Sequence, residues 1–222
     1  MPGEPKRVRP SKSRADTTGT PPPVGLGLPD PDVKAGGAVA RLIYTAMASL
    51  DGYVEDAGGG FGWSAPDEQV HAFINDAERS VGTYLCGRRL YATMLPWQTV
   101  DPAGDGPQVV REYAAIWQAA DKVVFSRTLA SVSGPRTRLE RTFDRERVAA
   151  LKASTDRDLS VGGAQLAAQA LRDGLVDEVR LLLHPVTVGA GKAALPGGVR
   201  LRLLDEQHFD SGVVHLRYAV RP

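Results

Sequence analysis

Apolar positions recur along this chain in two periods, and the switching between them predicts the elements. Leu42 to Ala48 is a short apolar run, as expected for a buried strand. From Pro66 the period becomes helical, with Val70, Phe73, Ile74 and Ala77 on one face. Ser64 is the candidate cap of that helix, and Pro66, Asp67 and Glu68 fall in its first turn. Thr83 to Cys86 reads as a strand, and Arg88 to Leu95 as a short helix stopped by Pro96. Gln108 to Ala119 is a further helix, with Val109, Tyr113, Ile116 and Trp117 on one side. Lys122 to Phe125 reads as a strand, Arg145 to Ala153 as a helix and Leu159 to Val161 as a strand. Ala164 to Arg172 is a helix ended by Gly174, and Glu178 to His184 a strand closed by Pro185. Val199 to Phe209 and Val213 to Val220 read as an antiparallel hairpin around Asp210, Ser211 and Gly212. Strands separated by helices, with a late hairpin, predict an α/β sheet whose strand ends meet water.

Residues 1–40 break this pattern. They carry Pro21, Pro22 and Pro23 and almost no large apolar side chain, so they bury too little surface to offset the entropy of ordering. Lys6, Arg7, Arg9, Lys12 and Arg14 make the segment basic, but the apolar stretch Val24 to Leu28 is too short for a secretory signal. The segment is expected to be a disordered leader, or else a weak electrostatic contact arm. Residues 41–222 then form one domain, long enough for a sizeable core. The net charge is +1, so no field of one sign recommends a nucleic-acid partner. A single cysteine, Cys86, excludes a disulfide framework and a multi-thiolate metal site, and favours an intracellular, cytoplasmic location. No apolar run approaches the ~20 residues of a membrane span.

Several familiar motifs fail. Gly189-Ala190-Gly191-Lys192 has the end of a phosphate-binding P-loop, but Val186 stands where the upstream glycine belongs and Ala193 where a metal-binding hydroxyl belongs, so a loop is expected. Gly58 to Gly62 does not follow a strand and open a helix as a dinucleotide-binding turn does. His71, His184, His208 and His215 lack zinc spacing, and no metal site is expected.

Three strand ends carry anion-compatible groups. Val161-Gly162-Gly163-Ala164 ends a strand and opens a helix, so the amides of Ala164, Gln165 and Leu166 are free donors at a positive helix end. The alternative is a tight strand–helix turn. Leu85-Cys86-Gly87-Arg88-Arg89 places two arginines where they oppose a helix dipole, which an anion would offset. A solvated charged face is the alternative there. Val124-Phe125-Ser126-Arg127 adds a hydroxyl and a guanidinium. Together they favour a phosphorylated ligand along the carboxyl edge of the sheet.

These segments, with Thr45-Ala46-Met47-Ala48-Ser49-Leu50-Asp51-Gly52 and His184-Pro185-Val186-Thr187-Val188-Gly189-Ala190-Gly191-Lys192, resemble the dihydrofolate reductase-like fold. The resemblance is to its bacterial deaminase–reductase C-terminal (riboflavin-biosynthesis reductase-like) branch, and it covers residues 41–221. It implies a mostly parallel central sheet flanked by helices, with a C-terminal antiparallel hairpin, and NADPH as cofactor. By it, Gly87, Arg88 and Arg89 approach the cofactor phosphates, and Ser126 and Arg127 meet the 2′-phosphate. Gly162, Gly163, Ala164, Gln165 and Leu166 wrap the pyrophosphate, and Ala46 and Met47 pass the nicotinamide. Leu90 departs from the Thr that many relatives carry after Gly-Arg-x.

On the substrate side, the resemblance places a carboxylate early in the helix after Pro66, so Asp67 or Glu68 is the candidate acid. Partial burial would raise its pKa; a solvated first-turn carboxylate is the alternative. Trp63 either stacks on a flat ring or covers the core. Glycines 58 to 60 form either a lid or a loose connection. His184 ends an inner strand near the expected substrate cavity and has a structural reading too. The expected function is NADPH-dependent reduction of a small planar heterocycle, pterin or aminopyrimidine-like, by a homodimer. The alternatives are a non-catalytic nucleotide- or flavin-binding protein on the same fold, and a protein-interaction module using the leader.

Overall fold

The computed structural model describes residues 40–221. The leader expected over residues 1–40 therefore lies outside the described residues, except for Ala40, which is buried in the core.

The chain runs β1 (Leu42–Ser49), β2 (Tyr53–Asp56), α1 (Glu68–Glu78), β3 (Val81–Gly87), α2 (Arg88–Met94), α3 (Gln108–Ala119), β4 (Asp121–Phe125) and β5 (Thr137–Glu140). It continues through α4 (Arg145–Ala153), β6 (Asp158–Gly162), α5 (Ala164–Arg172), β7 (Glu178–His184), β8 (Gly191–Ala193), β9 (Arg200–His208) and β10 (Val214–Arg221). One eight-stranded sheet has the order β5-β4-β3-β6-β1-β7-β10-β9. From β5 to β7 every neighbouring pair is parallel, and β10 is antiparallel to both β7 and β9. This is the expected mostly parallel sheet with a late hairpin.

Alternate residues of each strand serve two different cores, because successive side chains point to opposite faces. Leu42, Tyr44, Leu85, Val123, Val161 and Leu181 pack with Val148 of α4 and Ala167, Ala170 and Leu171 of α5. Their sequence neighbours on the other face take α1 and α3: Leu182 packs with Val70 and Ile74, while Tyr84, Cys86 and Val124 pack with Trp117. Strands buried on both faces read as the continuous apolar runs seen in the sequence.

Three short strands carry no such run. β5 forms an edge of the large sheet, and β2 pairs antiparallel with β8 in a separate two-stranded ribbon. The Gly189–Lys192 segment, expected as a loop, thus supplies the first two residues of β8. Gly191 is needed there: its φ is +153°, and a Cβ would lie 1.9 Å from the Glu55 carbonyl oxygen. The cap of α1 also differs from expectation. Asp67 caps it by accepting from the Val70 amide at 2.8 Å, while the Ser64 hydroxyl donates to the Phe61 carbonyl at 2.7 Å. Among the described residues no helix is long and apolar enough to cross a membrane.

Two predictions follow from this packing. Gly191→Ala forces β8 away from β2 and is expected to cost about 1–3 kcal/mol, read as a lower urea midpoint with an unchanged slope. His215 is 3 % exposed on the α1 face, 4.6 Å from the Phe73 ring centroid, and burial lowers its pKa from 6.5. The unfolded chain then binds the proton more readily. The stability tied to neutral His215 is complete above 6.5 and is lost as pH falls toward the depressed folded value. Melting temperature is expected to drop from pH 7 to about 5, and less steeply in His215→Leu, a substitution of similar volume.

Candidate functional site

The carboxyl ends of three parallel strands stand side by side. Gly87 of β3 is in register with Phe125 of β4, and Cys86 with Gly162 of β6. Beyond these ends lies a cavity of about 510 Å³, a volume typical of small-molecule sites. It is lined by Gly87, Arg88 and Arg89 from β3–α2, Arg127 and Thr128 after β4, and Gly163, Ala164, Gln165 and Leu166 at the start of α5. Eight of the residues expected to hold a cofactor are thereby brought together. Leu90, Phe125, Gln169 and Lys192 also line it, and of these all but Gln169 fall in segments the sequence singles out. Gln169 lies one helical turn beyond Gln165. Lys192 arrives from β8; it closes the His184–Lys192 segment of the resemblance, which assigns it no role.

Four of the lining side chains are cations, and none is an acid. The α5 amino end opens into the same space, with Gly163 as its cap at φ +89° and no side-chain cap. Its first amides are therefore available to an anion.

The glycines differ in what requires them. A Cβ on Gly162 would lie 2.1 Å from Leu90 Cδ2, so Leu90 fills the space that Gly162 leaves. Gly162 is a packing residue and does not line the cavity. Gly87 has an ordinary extended backbone (φ −74°, ψ 160°), and a Cβ there would meet nothing within 4 Å. Neither conformation nor packing calls for glycine at 87, and the open space beside it is the cavity. Cys86, the preceding residue, is buried, and burial pushes its thiol pKa up to about 12.

Ser126 does not face the cavity. It is buried, and its hydroxyl accepts from the amides of Thr128 (3.2 Å) and Leu129 (3.0 Å), turning the chain after β4. Its role toward a 2′-phosphate gives way to a turn, and exposed Arg127 with Thr128 remains at that end. Ala46 is buried on the α4/α5 face of β1, and Met47 is half-buried on the opposite face beside Val70 and Leu182. Neither lines the cavity.

A second group gathers at the ends of β1 and β7, where Ser49 is in register with His184. Trp63 meets the His184 ring edge-on at 5.9 Å. Trp63 Nε1 and His184 Nε2 are both buried without a hydrogen-bond partner among the described residues. Burial pushes the His184 imidazole below its usual pKa, partly opposed by the Asp67 charge. Asp67 itself is exposed, and the Val70 amide, then the Ser211 side chain, hold its carboxyl below the usual range. Glu68 is exposed in the first turn of α1. The expected buried acid with a raised pKa is therefore corrected: Asp67 is an ionised helix cap and Glu68 a solvated first-turn carboxylate.

The surrounding loops are tied down. The Asp56 carboxylate accepts from the amides of Gly58 and Gly60 at 2.8 Å each, so the glycine loop is a closed turn. Asp51 accepts from the Ser49 hydroxyl at 2.6 Å and from the Gly189 amide at 2.7 Å, which fastens the end of β1 to the segment after β7.

This sheet order and the glycine-marked carboxyl edge define a dihydrofolate reductase-like fold. Comparison with known proteins narrows it further. The family described as RibD C-terminal domain matches residues 40–215, and the chain belongs to that family. It carries, on that ground, a reductase-like domain. It is 30% identical over 184 residues to the uncharacterized protein YyaP of Bacillus subtilis (strain 168), covering 80% of this chain and 94% of that one. Its fold is similar to a Shewanella sp. PV-4 protein provisionally assigned to riboflavin biosynthesis, with TM-score 0.63, 19% identity, and coverage of 82% of this chain and 99% of that one. It is also similar to dihydrofolate reductase from Enterococcus faecalis, solved with NADP(H), with TM-score 0.53, 11% identity, and coverage of 82% and 97%.

Proposed function

We propose that this chain is an NADPH-dependent reductase of a small planar heterocycle of pterin or aminopyrimidine type. The observation that carries the reading is Gly87: a glycine that the protein's own structure does not require, opening onto a cavity lined by four cations. The relationship to the RibD C-terminal domain and the NADP(H) complex of the Enterococcus faecalis enzyme support the choice of cofactor.

In this reading the amides of Ala164, Gln165 and Leu166 and the Arg88 and Arg89 guanidiniums hold the pyrophosphate. Arg127 and Thr128 hold the adenosine phosphate, and Phe125 walls the nucleoside. When bound, the cofactor supplies a hydride. The chain's own part is positioning, which is the larger need of such a transfer. Trp63 Nε1 and His184 Nε2 offer one donor and one acceptor to the polar edge of a flat ring, and the Trp63 indole covers it. With Asp67 ionised as a helix cap, the proton comes from solvent rather than from a buried carboxyl group.

A homodimer belongs to the same proposal. β9 is an edge of the sheet, and Leu203 on it is 50% exposed. Light scattering is expected to give twice the chain mass of 23.7 kDa. A species at the single-chain mass alone sinks this part.

The deciding experiment titrates the protein with NADPH, NADH and FMN in parallel. NADPH is expected to bind well and NADH poorly. Gly87→Ala is expected to cost under about 1 kcal/mol of stability, as for a weak helix cap, and to weaken NADPH at least about tenfold by filling the cradle. Arg127→Ala is expected to weaken NADPH about tenfold and leave NADH unchanged. FMN binding without NADPH overturns the nicotinamide reading in favour of a flavin-binding protein. In a turnover assay Asp67→Asn is expected to lower kcat by less than about tenfold, since a general acid would contribute 10²–10⁴-fold.

A further inference from the structure

One charged contact at the cavity mouth has no part in the reading above. Lys192 lines the cavity from β8, and its Nζ donates to Glu55 Oε1 on β2. The same carboxylate oxygen lies 3.5 Å from Arg89 Nη1, at the start of α2. One acid oxygen from a strand thus faces two cations from two other elements, and both cations line the cavity while Glu55 does not.

The ribbon imposes this arrangement. Glu55 and Lys192 are Cα partners in the β2–β8 pair, and directly opposed residues share a face. Gly191 lets the two backbones approach where any Cβ would collide with the Glu55 carbonyl. The Glu55 and Lys192 side chains are each only 22% exposed, so the pair is partly withdrawn from water and stronger than an open surface pair. Arg89, at 73% exposure, is free to reorient. An anion reaching Lys192 and Arg89 therefore competes with a carboxylate already held between them.

We propose that Lys192 is a diphosphate-binding residue of this cavity and that Glu55 is its resident counter-ion, displaced when the diphosphate binds. The proposal rests on the nucleotide site above and deepens it. Lys192 Nζ exchanges the Glu55 carboxylate for a phosphate oxygen, and Glu55 turns to solvent. No covalent bond changes. The exchange sets affinity, because the Lys192–Glu55 attraction must be given up for the one that replaces it. Glu55 also lowers the net charge of the cavity mouth, which disfavours singly charged anions more than a diphosphate that engages several cations at once.

The test uses inorganic pyrophosphate as the probe, by calorimetry on the full chain, with Glu55→Gln, Lys192→Gln and the double variant. Glu55→Gln is expected to tighten pyrophosphate about 3–10-fold by removing the competitor. Lys192→Gln is expected to weaken it about tenfold and to make the salt dependence shallower. In the double variant the gain from Glu55→Gln shrinks to the part that Arg89 retains, about twofold or less. A second readout is the Lys192 side-chain nitrogen NMR signal. It is expected to move on adding pyrophosphate, and to start part-way along that path in Glu55→Gln. Thermal melts check that each variant folds; if Glu55→Gln melts far lower, the NMR signal in the wild-type chain decides. Pyrophosphate affinity that is unchanged or weaker in Glu55→Gln overturns the proposal, as does a Lys192 signal indifferent to pyrophosphate or no pyrophosphate binding at millimolar concentration. If pyrophosphate behaves as expected and NADPH does not bind, the counter-ion role stands and the nicotinamide reading falls. If NADPH binds equally to wild type and Glu55→Gln, that reading stands and the counter-ion role falls.

Discussion

The middle of the sheet depends on one buried carboxylate. Glu178, at the start of β7, is 3 % exposed and accepts from Arg180 of its own strand at 2.6 Å and from Arg41, just before β1, at 2.9 Å. Arg217 of β10 lies 3.8 Å away, and Arg41 continues to Asp158 of β6 at 2.6 Å. Four neighbouring strands are fastened by a single ionic network, β6, β1 and β7 at their amino ends and the antiparallel β10 through Arg217 in its middle. A buried charge without its partners is costly, so a register slip that parted Glu178 from its arginines would be strongly disfavoured. The register is thereby fixed at the edge of the sheet opposite the cavity.

The opposite edge is arranged chiefly by backbone turns, with one ionic contact, Glu55 between Lys192 and Arg89, at the cavity mouth. There the strands end in glycine turns, a hydroxyl turn at Ser126 and the Asp51 tie, and the cavity opens beside the uncapped amino end of α5. The row of strand ends β4, β3, β6, β1 and β7 leads from the exposed guanidinium of Arg127 to the half-buried Trp63 ring against the buried His184 ring. A ligand with a charged end and a flat uncharged end would find both along one edge.

The sequence was most legible where side-chain pattern and backbone agree. β1, β4 and β7 are largely apolar because both faces are covered, β6 is a shorter Leu-Ser-Val stretch, and the helices between them show their period. β2, β5 and β8 were not legible. They span three or four residues of mixed polarity, and their existence depends on pairing with distant strands. Lys192 was lost with β8 for that reason. Ser64 and Asp67 are both good caps three residues apart, and only the packed geometry chooses Asp67. Ser126 shows the same limit, since a hydroxyl that closes a turn and one that binds phosphate look alike in sequence. Gly87 and Gly162 also look alike in sequence, and they part only when a methyl group is placed on each.

Cys86 gives the folded molecule an internal clock. The chain holds one thiol, and it is 1% exposed with its pKa pushed to about 12, so thiolate is scarce at neutral pH and reagents have no access to it. Any modification of this residue must wait for β3 to part from its covering helices. That strand ends one residue later, at Gly87. The rate at which the thiol reacts therefore measures how often β3, whose last residue lines the cavity, parts from those helices.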